Sequence, residues 1–202
     1  MDKIISLIVT VQELLHSILK PLEFLPLLLL RIYLVPIFWM GGTKKFASMD
    51  DTIAWFGNPD WGLGLPAPAL LAYLATFTEI FGAIALALGF ATRWMTLPLM
   101  FTMFIAMVTV HFQNGWLAIA EGSGPFATDR TMGAIDRLSR AREILQENGN
   151  YDWLTQNGDF VILNNGIEFA ATYTLMLMVL LFMGPGKASI DHLIKQRFMN
   201  QY

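Results

Sequence analysis

The sequence of 202 residues contains no cysteine. This absence excludes disulfide frameworks, thiol-based redox catalysis, cysteine-ligated zinc and iron–sulfur clusters. The sequence also lacks a P-loop, a GxGxxG fingerprint, an HExxH motif and any grouping of residues that suggests a nucleophilic triad. A redox role would therefore depend on a bound cofactor or on a partner protein.

Charged residues are scarce as well, at 14% of the chain, whereas soluble domains have about a quarter. The formal net charge of −3 comes from mixed signs with no basic stripe or tail, so nucleic acid is not an expected partner.

The N-terminus has an acid where a signal peptide is basic, and it lacks a small-residue cleavage site. We therefore expect the N-terminal segment to be retained.

Apolar residues are abundant, at 55% of the chain. They include four long stretches that are almost free of charge, each close to the roughly 20 residues that a helix needs to cross a bilayer. The sequence predicts an all-α integral membrane protein, an antiparallel four-helix bundle in a single membrane domain. The domain is expected at 21–190, with spans at 22–42, 67–91, 94–113 and 163–184 and outer loops at 43–66 and 114–162.

Two amphipathic segments flank this domain. Residues 1–20 have apolar side chains at helical spacing and predict an amphipathic helix on the membrane surface, and residues 189–199 predict a second, shorter one. Short helices are also expected at 49–56 and 132–147. Lysine and arginine near the ends of the spans are more numerous on the side of the membrane that holds the two termini than on the side of the long loops. The positive-inside rule therefore predicts cytoplasmic termini and external long loops.

Apart from tyrosine, the four charge-poor stretches, 24–42, 67–92, 94–112 and 167–184, contain only four ionisable residues: Arg31, Glu79, His111 and Glu168. Charges inside a membrane are costly, so each is expected to be paired or to face a cavity. Counting the helical rise of about 1.5 Å per residue places Arg31 and Glu79 at a similar depth. We therefore expect an ion pair between Arg31 and Glu79.

A second, shallower polar group is expected near the outer surface. Lys45 shares a helix face with Arg31, and His111 and Glu168 lie at the outer ends of their spans. Lys45, His111 and Glu168 form the candidate catalytic group. The candidate ligand-binding residues are Arg31, Glu79, Tyr73 and Tyr173. The alternative is that these residues only hold and orient the bundle.

A stripe of methionines raises the question of metal binding. Met100, Met103, Met107 and His111 follow a helical spacing on the third span, and thioether with imidazole would suit Cu(I). Methionine also commonly fills gaps between apolar helices. Packing is the favoured interpretation, and the sequence predicts no definite metal site.

Several short motifs occur in an order and at a spacing that are typical of a known protein family. They are Arg31 early in the first span, Lys45 in a Gly-Thr-Lys-Lys-Phe segment at its end, Glu79 in the second span, His111 ending the third, and Glu168 after Asn-Gly-Ile at the start of the fourth. Over roughly 31–190 the chain resembles the DoxX family of small bacterial membrane proteins. The resemblance implies a four-helix bundle in the bacterial inner membrane with both termini cytoplasmic. It also implies an association with quinone-linked or thiol-linked redox systems, in which type members are the membrane subunit of thiosulfate:quinone oxidoreductase.

The segment 46–66 is similar, more narrowly, to the HvfX branch, which occurs with copper-binding modified peptides. The long insertion 115–159 departs from the simpler family pattern and suggests a protein or peptide partner outside the membrane.

Two hypotheses for the function remain open. One is a redox-accessory protein that binds a quinone or a similar apolar ligand in the bundle and works with a redox enzyme. The other is a non-enzymatic partner in the maturation or export of a copper-binding peptide. Quinone is the candidate cofactor, copper is disfavoured, and catalytic turnover is left open.

Overall fold

The computed structural model describes residues 2–199, which contain helices and no β-strand. The short helices expected at 49–56 and 132–147 are confirmed, and the segment 189–199 contains a helix that begins at Ile190. The helices of the described residues are α1 Asp2–Leu19, α2 Leu25–Ala47, α3 Met49–Gly57, α4 Pro68–Leu88, α5 Thr92–Ala106, α6 Asp129–Asn148, α7 Tyr151–Leu154, α8 Glu168–Met183 and α9 Ile190–Met199.

Four of these helices form a bundle. Helix α2 packs against α4, α4 against α5, α5 against α8, and α8 against α2. Only three residues separate α4 from α5, so these two helices run antiparallel. The all-α bundle predicted from the apolar stretches is confirmed. Its core consists of Leu34, Phe38, Ala83, Leu86, Leu99, Leu177 and Leu180.

The exposed surface of the bundle is apolar, as expected for a protein surrounded by lipid. Four helical segments of the described residues are long and apolar enough to cross a membrane: Lys3–Leu22, Leu25–Ala47, Pro68–Leu88 and Thr92–Asn114. Helix α8, with 16 residues, is shorter but belongs to the bundle. The chain is therefore an integral membrane protein. The N-terminal helix meets the length criterion although we expected it on the membrane surface, and its described side chains are all exposed.

The two ends of the bundle differ in the length of their connections. At the short-loop end, tight turns join α1 to α2, α4 to α5 and α8 to α9. At the long-loop end, α3 connects α2 to α4, and residues 115–167, which we call the cap, connect α5 to α8. Within the cap, an isolated antiparallel bridge pairs Ile119 with Leu163. Because residues 164–167 bond to the backbone of residues 115–118, α8 begins at Glu168 and not at residue 163.

Candidate functional site

The bundle contains one ion pair between transmembrane helices, among the residues described. Lys45 Nζ of α2 lies 2.6 Å from Glu79 Oε2 of α4. The Glu79 side chain is only 5% exposed, whereas the Lys45 side chain is 27% exposed. Lys45 Nζ also donates to the carbonyl of Gly41, one turn earlier, at 3.4 Å. The pair therefore joins a buried carboxylate to an ammonium that lies near the edge of the bundle.

Two glycines of α2 make room for this pair. A Cβ added at Gly41 would lie 2.9 Å from Glu79 Oε2, and one added at Gly42 would lie 2.7 Å from Ile80 Cγ1. Such contacts are too short for real side chains, so α2 and α4 approach closely only because both positions lack a side chain. We call the group formed by Gly41, Lys45 and Glu79 the glycine notch.

The expected ion pair between Arg31 and Glu79 is wrong. Arg31, which is only 1% exposed, donates from Nη1 to the carbonyl of Leu86 at 3.1 Å and from Nη2 to the carbonyl of Ala188. Leu86 is seven residues beyond Glu79, or about 10 Å along the helix. Arg31 therefore holds the short-loop end of the bundle together.

The direction of helical side chains explains this exchange of partners. Side chains lean toward the N-terminus of their own helix. On α2, this lean carries Arg31 toward the short-loop end and carries Lys45 toward the middle of the bundle. Helix α4 runs the opposite way, so Glu79 leans toward Lys45. Lys45 faces inward, as expected from the helix face that it shares with Arg31, whereas its neighbour Lys44 is exposed.

The other two members of the expected outer group bind the cap. His111 Nδ1 lies 2.9 Å from the carbonyl oxygen of Asn165, and Glu168 Oε2 accepts a hydrogen bond from the backbone N–H of Ala118 at 2.9 Å. Within the described chain, neither residue forms a hydrogen bond or an ion pair with Lys45. Lys45, His111 and Glu168, which were expected from the sequence to form one group, are therefore not joined in one hydrogen-bonded group among the residues described.

His111 also ends a stretch of π-helix, Met107–His111, that continues α5. Such wider turns often occur at functional positions. Earlier on the same helix, Met100 and Met103 pack against the bundle core, which agrees with packing as their role. Copper binding by this stripe stays the less favoured of the two interpretations.

The two candidate tyrosines lie in aromatic stacks. Tyr73 stacks on Phe77 with ring centroids 6.1 Å apart, and Phe77 stacks on Phe81 at 5.8 Å. Phe46, the neighbour of Lys45, lies 6.2 Å from Phe77. These four exposed rings, Phe46, Tyr73, Phe77 and Phe81, form what we call the aromatic ladder on the outside of α2 and α4. Tyr173 stacks on Phe169 of α8 at 6.2 Å.

Sequence reasoning missed two polar residues that organise the ends of the bundle. Asn164, only 2% exposed, donates to the carbonyls of Asn114 and Leu117 at 2.8 and 2.6 Å. It also accepts from Nε of Arg130 at 3.0 Å. Asp191 accepts from the backbone N–H groups of residues 91 and 92 at 2.7 and 3.0 Å. The only local signal for Asn164 was its place in an Asn-Asn-Gly turn, and Asp191 had none.

Comparisons with known proteins agree with the bundle. Residues 26–112 match the DoxX family. CatD of Bacillus subtilis (strain 168), whose name describes a candidate oxidoreductase, is 33% identical over 94 residues, which are 46% of this chain and 66% of CatD. The inner membrane protein YphA of Escherichia coli (strain K12) is 33% identical over 100 residues, 49% of this chain and 66% of YphA.

The matched region thus spans slightly less than two thirds of each relative. The match to the DoxX family, at residues 26–112, covers the helices that carry Arg31, Lys45, Glu79 and His111, and it ends before the cap. No solved structure matches the chain. The narrower resemblance to the HvfX branch stays a prediction.

Proposed function

We propose that this protein, whose residues 26–112 form a DoxX family domain, is a redox-accessory protein that binds a quinone or a similar apolar ligand. The head group would lie at the glycine notch, against Lys45 and Glu79. The observation that carries the proposal is the partly exposed ammonium beside an almost fully buried carboxylate. Buried charges of this kind inside a membrane protein commonly mark a site of function.

The chemistry of the pair suits a quinone carbonyl. An ammonium has three N–H donors, and Lys45 directs two of them to Glu79 and Gly41. The remaining donor could bind a carbonyl oxygen of the ligand. Glu79 lies next to that donor and could exchange a proton with the head group during reduction. His111 and Glu168, which we had placed in the same group, would instead act by fixing the cap.

The aromatic ladder supports an approach from the lipid. Its rings are exposed on the outside of α2 and α4. One of them, Phe46, follows Lys45 in the sequence and contacts Phe77, so the ladder reaches the ion pair. Flat rings stack favourably on aromatic side chains. A ligand dissolved in the bilayer could therefore rest on the ladder while its polar head reaches Lys45. The electrons for any reduction would come from a separate redox enzyme, because the chain has no cysteine and no recognisable cofactor motif.

Quinone binding to the purified protein in nanodiscs tests this proposal. A variant with both Lys45→Met and Glu79→Gln removes the charges while leaving no unpaired ion. Loss of a charge-assisted hydrogen bond costs about 1.5–3 kcal/mol, so we expect affinity to fall by roughly tenfold to a hundredfold.

Lys44→Met is the matched control, because Lys44 is the exposed neighbour of Lys45. It should bind quinone like the unmodified protein. The proposal fails if the unmodified protein does not bind quinone, or if the double variant binds it equally well.

The second hypothesis, a partner in copper-peptide maturation, is favoured by the order of the cap. The cap forms defined helices and is fixed to the bundle by Asn164 and Glu168. An ordered external unit of this kind would suit docking of a peptide or protein. Neighbouring genes for a small cysteine-rich peptide and its modifying enzymes would support this function, whereas a neighbouring sulfur-oxidising subunit would support the first.

A further inference from the structure

A cavity lies at the short-loop end of the bundle, far from the glycine notch. Its volume is about 460 Å³. It lies open to the surface between the turn that joins α4 to α5, the turn after α8, and helix α9. Its lining includes Arg93, Trp94, Gly184, Lys187, Asp191 and Lys195.

The cavity has an excess of positive charge. Arg93, Lys187 and Lys195 are the cations, and Asp191 is the only acid in the lining. Both oxygens of Asp191 already accept hydrogen bonds from the backbone at the start of α5, and a carboxylate is well placed at a helix N-terminus. The acid is therefore committed to the fold, and the cations remain for a ligand.

The cations keep donors available. Lys187 has an exposed ion pair with Glu23 at 3.2 Å, a kind of pair that contributes little stability. Lys195 has no ion-pair partner among the residues described. Arg93 uses Nη2 to bind the carbonyl of Phe182 at 3.1 Å, which leaves most of its five N–H donors free.

Glycine shapes the wall of this cavity. Gly184 has a φ of +83°, a conformation that side chains other than glycine rarely adopt. A Cβ at that position would lie 3.3 Å from both Nε and Nη2 of Arg93. The turn after α8 thus brings the backbone against the guanidinium and fixes it in the cavity.

The position of the cavity points to a ligand in the membrane interface. Trp94, in the lining, is 77% exposed, and tryptophan is typical of the headgroup level of a bilayer. Phe182 and Met183 of α8 are also exposed and apolar. We infer that the cavity binds the phosphate of an anionic phospholipid headgroup, with the acyl chains lying along the end of α8. Basic pockets between transmembrane helices are known to bind such headgroups.

Native mass spectrometry of the purified protein with added phosphatidylglycerol, cardiolipin or phosphatidylcholine tests the inference. We expect the anionic lipids to stay bound and phosphatidylcholine to dissociate. The variant Lys187→Gln with Lys195→Gln should bind the anionic lipids roughly 30-fold more weakly, because each of the two cations near an anionic lipid contributes about a fivefold gain. Both positions are exposed, so the variant should fold normally.

The matched control is Lys20→Gln with Arg197→Gln, which removes the same charge at the same end of the bundle but outside the cavity. It should retain the lipids. An equal loss in the control would attribute binding to general surface charge and overturn the inference. Competition by inorganic phosphate at concentrations equal to those of the lipid would identify a site for the free ion, and it would overturn the assignment to a lipid.

Discussion

Removing Lys45 should destabilise the protein much more than neutralising Glu79. Lys45→Met leaves the Glu79 carboxylate, whose side chain is 5% exposed, without its ion-pair partner. Breaking a buried pair in this way costs roughly 3–5 kcal/mol. We take about 3 kcal/mol, because Lys45 itself is 27% exposed and the pair is partly screened.

Glu79→Gln should cost only about 1 kcal/mol. The freed Lys45 lies in the last turn of α2, from which a lysine can extend to the membrane surface, and the Gln amide still fills the space beside Gly41. The double variant, Lys45→Met with Glu79→Gln, should regain about 2 kcal/mol relative to Lys45→Met alone, because it no longer contains an unpaired charge.

Thermal unfolding in detergent, followed by fluorescence-detected size exclusion, measures these differences. For a chain of about 200 residues, 1 kcal/mol corresponds to roughly 2–4 °C in Tm. We therefore expect Lys45→Met to lower Tm by about 6–12 °C and Glu79→Gln by about 2–4 °C. The reasoning is refuted if the two single variants unfold at the same temperature, or if the double variant is no more stable than Lys45→Met.

Three further predictions concern the ends of the bundle. Arg31→Met should lower stability by about 2–3 kcal/mol, because it removes two charged hydrogen bonds, to the carbonyls of Leu86 and Ala188. In the same unfolding assay Arg140→Met, which loses only an exposed pair, should change stability by less than about 1 kcal/mol. Equal effects would argue against the buried role of Arg31. Glu168→Ala should leave the protein able to insert but speed limited proteolysis of the cap, since the N–H of Ala118 loses its acceptor; cleavage at the original rate would show that the cap does not depend on this contact. Ser139→Cys, in the exposed part of α6, should react with an impermeant thiol reagent in intact cells, and labelling only in inverted vesicles would reverse the expected orientation.

The helices were predictable because their signal is local. A stretch of about 20 residues without charge has few alternatives to a membrane span, and α6 has apolar residues at helical spacing among its charges. The start of α8 was less accessible to prediction. Leu163 and Ile167 stand at helical spacing before α8, but residues 164–167 bond to a segment nearly 50 residues earlier. No periodic pattern in the sequence indicates such a partner.

The partners of the buried charges were predictable only in part. The rarity of ionisable residues in the spans selected Arg31 and Glu79, which are buried. The helix face shared with Arg31 selected Lys45, which faces inward. Counting the helical rise then paired Arg31 with Glu79 instead of Lys45 with Glu79, because it placed each charged group at the depth of its own Cα. For long side chains the reach exceeds one helical turn, so the direction of the helix decides the partner.

The two interactions of Arg31 are separated widely along the chain. Leu86 is synthesised 55 residues after Arg31, and Ala188 follows 157 residues after it. During synthesis, therefore, the Lys45–Glu79 pair can form as soon as α4 enters the membrane, whereas the bond from Arg31 to Ala188 can form only after α8 has been made. A bundle that still lacks α8 would hold Arg31 through the Leu86 carbonyl alone. Arg31 thus makes both of its hydrogen bonds only when all four helices of the bundle are present.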